Sequence, residues 1–228
     1  MTESKQKDAK QRIFDAAISL FARKSYTGVG IREIAKAADV QVSMVNYYFD
    51  GKIGVLKAIM DECYVKYGKA INDVGDENTP LEDRVYMMIH NLITFYRKNA
   101  ELANAAFGAI PVDIPEIIDY RIKWFESTRE AANNWFKLLG FDPENAVQMC
   151  VLRDFLDKVI GGFFRARYCC DRIAQESKTS DYVKEHFKHD DHAVLLDDAF
   201  FNRYAKTLTK IYLYGITNIN KKLKNKGV

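Results

Sequence analysis

Apolar residues recur every three or four positions through the first fifty residues, and the recurrence breaks twice at short intervals. In DAKQRIFDAAISLFARK, residues 8–24, Ile13, Ala16, Ala17, Leu20 and Phe21 line one face of a helix, and Lys10, Arg12, Arg23 and Lys24 fall mostly off it. Tyr26, Thr27 and Gly28 end the pattern. It resumes in IREIAKAA, where Ile31, Ile34, Ala35 and Ala38 make a second stripe. Asp39-Val40-Gln41 leaves room only for a tight turn. The next segment sets Val45 and Phe49 four apart, while Ser43, Asn46 and Tyr47 share a different face at i, i+3 and i+4. A supporting helix followed by two helices joined so tightly predicts a helix-turn-helix unit. Its third helix, held by Val45 and Phe49, turns a polar face outward and has the width that the DNA major groove admits.

The remaining pattern is also helical. A fourth helix is expected from Gly51 or Lys52 to Asn72, with Val55, Leu56, Ile59, Cys63, Tyr67 and Ile71 along it. Thr79-Pro80-Leu81-Glu82 fits a capping box with proline at the first helical position, ahead of a helix carrying Val85, Met88, Ile89, Leu92, Phe95 and Tyr96. Gly108, Pro111 and Pro115 interrupt, and a further helix spans about 115 to 139. Asp142-Pro143-Glu144 opens another, 143 to about 175, and residues 193 to 221 complete the chain's apolar periodicity.

Composition narrows the class without naming it. The 228 residues are 48% hydrophobic and 29% charged, with only 4 prolines and 12 glycines, as suits an all-α protein of one or two domains. A net charge of +3 and a pI near 8.5 are too mild to indicate nucleic acid by themselves. The four cysteines lack CxxC spacing and read as reduced thiols. No apolar leader and no apolar run approaching a membrane span is visible, so the expected location is the cytoplasm.

The segment from about residue 10 to about 56 resembles the amino-terminal domain of the tetracycline-repressor (TetR) family of bacterial regulators. The likeness rests on Ile13, Ala16, Ala17, Phe21, Tyr26, Ile34-Ala35, Ala38, Val40, Val45, Tyr48-Phe49, Lys52 and Leu56. It departs at Gly30, where the family carries Ser or Thr, and at Asp39, which replaces a turn glycine and tolerates positive φ. It also departs at Asn46 and Ile53. The resemblance implies a DNA-binding domain over residues 1–51 and a helical effector-binding and dimerisation domain over 52–228. It implies that Ser43, Asn46 and Tyr47 face base edges, with Val42 against a thymine methyl. Arg32 would meet a guanine and Asn46 an adenine. Tyr48 and Lys52 would hold phosphates, as would the amides near Gly30 and Ile31.

The helix from 143 is apolar on more than one face, which fits either a subunit interface or the centre of a monomeric core. The interface reading uses Phe155, Leu156, Val159 and Phe163 with Leu208, Ile211, Tyr212 and Ile216, and makes the protein a homodimer. Such a pair presents two reading helices to pseudo-palindromic double-stranded DNA, with half-sites about 34–36 Å apart or multiples of that. Met88, His90, Phe95, Phe107, Tyr120, Trp124, Trp135 and Tyr168 read either as packed core or as the lining for a small, largely apolar effector. The function expected is a ligand-released repressor, with an architectural DNA-binding protein as the alternative. A remoter alternative is a metal-dependent enzyme built on His186, His189 and His192 in EHFKHDDH. No cofactor, no membrane partner and no catalytic set is expected, since no Gly-rich phosphate loop, G-x-S-x-G or H-E-x-x-H occurs.

Overall fold

The computed structural model describes residues 3–108, 111, 113–138, 142, 144–176 and 196–224. Among them are helices and no strand: α1 (Glu3–Lys24), α2 (Ile31–Ala37), α3 (Val42–Phe49), α4 (Gly51–Asn72), α5 (Leu81–Lys98), α6 (Ala100–Phe107), α7 (Pro115–Leu138), α8 (Ala146–Leu156), a π turn (Asp157–Gly161), α9 (Gly162–Glu176) and α10 (Asp198–Lys224). The fold is all-α. Two compact units result, one of Met1–Gly68 with Asn99–Glu130, the other of Lys69–Lys98 with Ala131–Val228.

In the first unit the periodicity of the amino-terminal residues becomes a core. Ile13, Ala17, Ile34 and Val45 have no measurable exposure, and Leu20, Phe21, Ala35, Ala38 and Phe49 are buried around them. The turn after α2 is closed by the backbone. The Val40 N–H donates to the Ala35 carbonyl at 3.0 Å and the Asp39 N–H to that of Lys36 at 3.2 Å, with Asp39 at φ 53°. This paired bonding is the Schellman ending of a helix, which requires one left-handed residue. Asp39 supplies it in place of glycine, as an acidic side chain that visits that region more readily than most.

α6 belongs to this unit because its inner face is small. Ala103, Ala105 and Ala106 are buried there, and α6 lies against α1, whose own Ala9 and Ala17 are also buried. α7 is tied to α4 by stacking, an ion pair and a hydrogen bond, among other contacts. Tyr64 stacks on Trp124 with ring centres 3.9 Å apart, Lys57 pairs with Glu116, and the Tyr120 hydroxyl donates to the Asp61 carboxylate. Burial pushes the Tyr64 hydroxyl up to about 12. Burial, then the bond to Asp61, raises Tyr120 as well.

In the second unit α5 packs on α10 and the π turn. The expected capping box does not form. The Thr79 hydroxyl turns back to Asp76, accepting its N–H at 3.1 Å and bonding its carboxylate at 3.2 Å, and the helical bonds start from the Pro80 carbonyl. Asp142 likewise closes a turn through the Glu144 N–H at 2.9 Å, and α8 begins later, at Ala146. The long helix expected from 143 starts at Ala146 and continues to Glu176 through the π turn, whose Ile160 is fully buried. Rings from three helices fill the space beside it: Tyr96 stacks on Phe164 at 5.7 Å, Phe164 on Phe201 at 5.6 Å, and Phe163 meets Tyr204 at 5.5 Å.

Candidate nucleic-acid interface

The third helix is seated by two buried residues, flanked by half-buried ones, and open along one face. Val45 is 0% and Phe49 9% exposed, whereas Tyr47 is 72% exposed. Ser43 and Asn46 are exposed beside Tyr47, and Val42 and Tyr48 are half-buried at the edges of the ridge. Tyr47 and Tyr48 meet edge to face with centres 5.1 Å apart, which limits both rings. No acid lies in the helix's first turn and no base in its last, so the ridge presents hydrogen-bonding and apolar groups without formal charge. α3 ends at Asp50 in the left-handed region, φ 56°, where the Asp50 N–H returns to the Asn46 carbonyl at 2.8 Å.

The flanking groups are positioned by α1 and α2. Glu33 is bound to Lys24 at 2.6 Å, and that bond holds its carboxyl below the usual range. Arg32, its neighbour, is exposed and has no acidic partner among the described residues. Gly30 caps α2 in an extended conformation with no side-chain bond, and Ile31 follows half-buried. Lys52, half-buried in the first turn of α4, sets its ammonium 3.9 Å from the centre of the Tyr26 ring, and burial lowers its pKa. The nine residues singled out for this surface thus lie in α2, α3, their caps and the start of α4, all within one compact unit.

The residues singled out for an effector divide between the units. Phe107, Tyr120 and Trp124 lie in the first, clustered on α4 through Tyr64 and Asp61. Met88, His90, Phe95, Trp135 and Tyr168 lie in the second, with Met88 and Phe95 buried and the others half-buried. Two open clefts on the first unit, of about 730 and 570 Å³, are lined by none of these eight residues; they flank α3 and α4 beside Tyr48, Phe49 and Asp61.

Of the residues singled out for a dimer, Leu208 and Tyr212 are 5% and 2% exposed and belong to the protomer's own core. Phe163 packs on Tyr204, and Phe155, Leu156 and Val159 are half-buried. Ile211 is exposed, and the side chain of Ile216 lies outside the described residues. Val147 and Val151, part of the apolar excess on the helix from 143, are at least 60% exposed on α8, as is Tyr214 on α10, which periodicity alone did not single out. His186, His189 and His192 lie outside the described residues, among which no cluster of His, Cys, Asp or Glu is arranged to hold a metal ion. No helix of the described residues is long and apolar enough to cross a membrane.

A three-helix unit that buries one side of its third helix and offers the other to solvent defines a helix-turn-helix protein of the DNA-binding class. Residues 13–59 match the family described as bacterial regulatory proteins, tetR family. That match places the amino-terminal unit, residues 13–59, with the DNA-binding domain of the TetR family. It is 28% identical over 108 residues to the probable HTH-type transcriptional regulator YttP of Bacillus subtilis (strain 168), a stretch covering 46% of this chain and 51% of YttP. It is 33% identical over 84 residues to IcaR of Staphylococcus aureus (strain Newman), the biofilm operon icaADBC HTH-type negative transcriptional regulator, covering 37% of this chain and 45% of IcaR. The chain thus spans about half the length of these curated relatives. The crystal structure of the transcriptional regulator FadR from Bacillus subtilis in complex with stearoyl-CoA shares the fold, with TM-score 0.57 at 14% identity over 90% of this chain and 98% of FadR.

Proposed function

We propose that this protein is a cytoplasmic transcriptional repressor that binds a pseudo-palindromic operator as a homodimer and leaves it when a small, largely apolar effector binds. The observation that carries the reading is the exposed ridge of Ser43, Asn46 and Tyr47 on a helix held by buried Val45 and Phe49. In this reading residues 1–51 contact DNA, and 52–228 sense the effector and pair the protomers. Asn46 reads adenine, Arg32 reads guanine and Val42 touches a thymine methyl. Tyr48, Lys52 and the amides at Gly30 and Ile31 fix the register on phosphates. The ridge itself carries no formal charge, so its share of the specificity rests on hydrogen bonds and methyl contacts, while Lys52 supplies attraction to the backbone.

Two features support an effector. The buried Tyr212 hydroxyl and the Trp135 indole N–H have no hydrogen-bond partner among the described residues, and a buried donor is normally satisfied. A ligand oxygen would satisfy either donor, and FadR, which shares the fold, is a stearoyl-CoA complex. Stearoyl-CoA is therefore the first compound to test for release. It releases DNA only to the extent that it binds the unbound form more tightly, and DNA must weaken its binding by the same factor.

The reading is tested by selecting bound duplexes from a random pool, then measuring variants on the winner. Tyr47→Ala is expected to weaken selected DNA by about tenfold or more while sparing random duplex. Lys52→Ala is expected to weaken both and to reduce the salt slope by about one. Unchanged retardation by both variants rejects the reading.

Gly30 offers a gain instead of a loss. A Cβ there meets nothing within 4 Å, and the extended backbone at φ −94° suits any capping residue. Gly30→Ser should stabilise the fold by a few tenths of a kcal/mol as a cap. Its hydroxyl should also raise DNA affinity about threefold, one net hydrogen bond. Melting curves and retardation of the selected duplex check both; equal or weaker affinity counts against the phosphate placed there.

A further inference from the structure

Lys52 occupies an unfavourable place for a cation. It is the second residue of α4, where the helix dipole is positive, and no acid in that first turn offsets it. It is also half-buried, which penalises its charge. What the structure places opposite it is a ring: Tyr26, 8% exposed in the link between α1 and α2, lies 3.9 Å from the ammonium and against Phe21 at 5.5 Å on its own side of the core. Tyr26 is raised above its ordinary value, first by burial and then by the nearby Glu116 charge, so it meets the cation as a neutral ring.

We propose that Tyr26 is a positioning residue for DNA binding: its buried ring holds the Lys52 ammonium at the start of α4 before DNA arrives, ready for a backbone phosphate. The inference rests on the DNA-binding reading and deepens it by adding a residue that does not itself touch DNA. A lysine free in solution has many rotamers to lose on meeting a phosphate, whereas one already held over a ring has fewer. The face of the ring attracts the cation electrostatically, and a phenyl ring serves nearly as well as a phenol. An aliphatic side chain of similar bulk fills the core but offers no such face.

The test uses the full-length chain with Tyr26→Phe, Tyr26→Leu, Lys52→Ala and the Tyr26→Leu/Lys52→Ala pair. Affinity for the duplex selected by the unmodified protein is measured across a range of salt. Tyr26→Phe is expected to bind within about twofold of the unmodified chain, and Tyr26→Leu about three- to tenfold more weakly. The Tyr26→Leu salt dependence should become shallower, towards that of Lys52→Ala, which loses about 0.9 from the slope for its phosphate. Added to Lys52→Ala, Tyr26→Leu should weaken binding no further. A Tyr26→Leu curve parallel to that of the unmodified chain overturns the proposal, because a loosened fold lowers the competent fraction equally at every salt. Full additivity with Lys52→Ala overturns it too. If Tyr26→Leu does not fold, judged by circular dichroism, the unmodified protein decides by NMR: ring current should move the Lys52 Cε protons upfield, and random-coil positions sink the idea. A protein that selects no duplex refutes the DNA-binding reading, whereas unshifted Lys52 protons refute only the role given to Tyr26.

Discussion

Gly54→Ala is expected to abolish operator binding, while Gly68→Ala, the same change in the same helix, is expected to be silent. A Cβ on Gly54 would lie 1.5 Å from the Phe49 carbonyl oxygen and 2.7 Å from its carbon. Both are backbone atoms, so no side-chain rotation relieves the overlap. The reversal between α3 and α4 is already tight, with Asp50 at φ 56° and Gly51 at φ 87° in succession. The end of α3 must therefore move, and Phe49 is one of the two residues that seat it. Overpacking of this kind costs about 1–3 kcal/mol, and rigid backbone on both sides puts the change at the upper end. Binding suffers more than stability, because the ridge of Asn46 and Tyr47 moves with Phe49. A loss of about a hundredfold or more is expected, equivalent to about 2.8 kcal/mol. A Cβ on Gly68 meets nothing within 4 Å, and alanine there should stabilise α4 by about 0.5–1 kcal/mol. Thermal unfolding and retardation of the selected duplex compare the two. Normal DNA binding by Gly54→Ala would mean that the close passage of α4 past the end of α3 does not set the ridge.

What the sequence makes legible here is local. The stripes of α1, α2 and α3 are each within a few residues of themselves, and the turn at Asp39 is fixed by bonds to Ala35 and Lys36 close by. That is why the ridge and its seat can be placed from spacing and resemblance. Partners distant in the chain are not legible in the same way. Nothing in the periodicity says that α6 lies on α1, that Trp124 stacks on Tyr64, or that Lys52 rests over Tyr26. Aromatic residues show the difficulty most clearly. Phe163 has the same pattern whether it faces a second protomer or Tyr204, and Tyr120 the same whether it orients a ligand or bonds Asp61. Thr79 illustrates the opposite error: its capping signature is complete, but Asp76 competes for the hydroxyl and wins it.

Charging the exposed apolar face of the second unit should separate the protomers and take DNA binding with them. Val151 on α8 is 60% exposed and Ile211 on α10 51%, with Val147 and Tyr214 more exposed still. Single apolar residues at a surface are ordinary, but two helices each carrying a pair within one turn call for a partner. In a two-fold dimer each substitution appears twice, so Val151→Asp with Ile211→Asp places four carboxylates in the contact. Losing the burial of one such side chain costs about 1.5–3 kcal/mol before any desolvation of charge. The dimer constant should accordingly rise by more than about a thousandfold, which is 4.1 kcal/mol. Sedimentation should then show single protomers at micromolar concentration. The fold itself should persist, because both sites face solvent within the protomer; Leu208→Asp, by contrast, would strike the buried core. DNA affinity should fall by about 10²–10⁴, since one reading helix no longer raises the effective concentration of the other. A doubly substituted protein that still sediments as a pair would move the interface elsewhere. An unmodified chain that sediments as a single protomer would remove the two-fold operator from the account altogether.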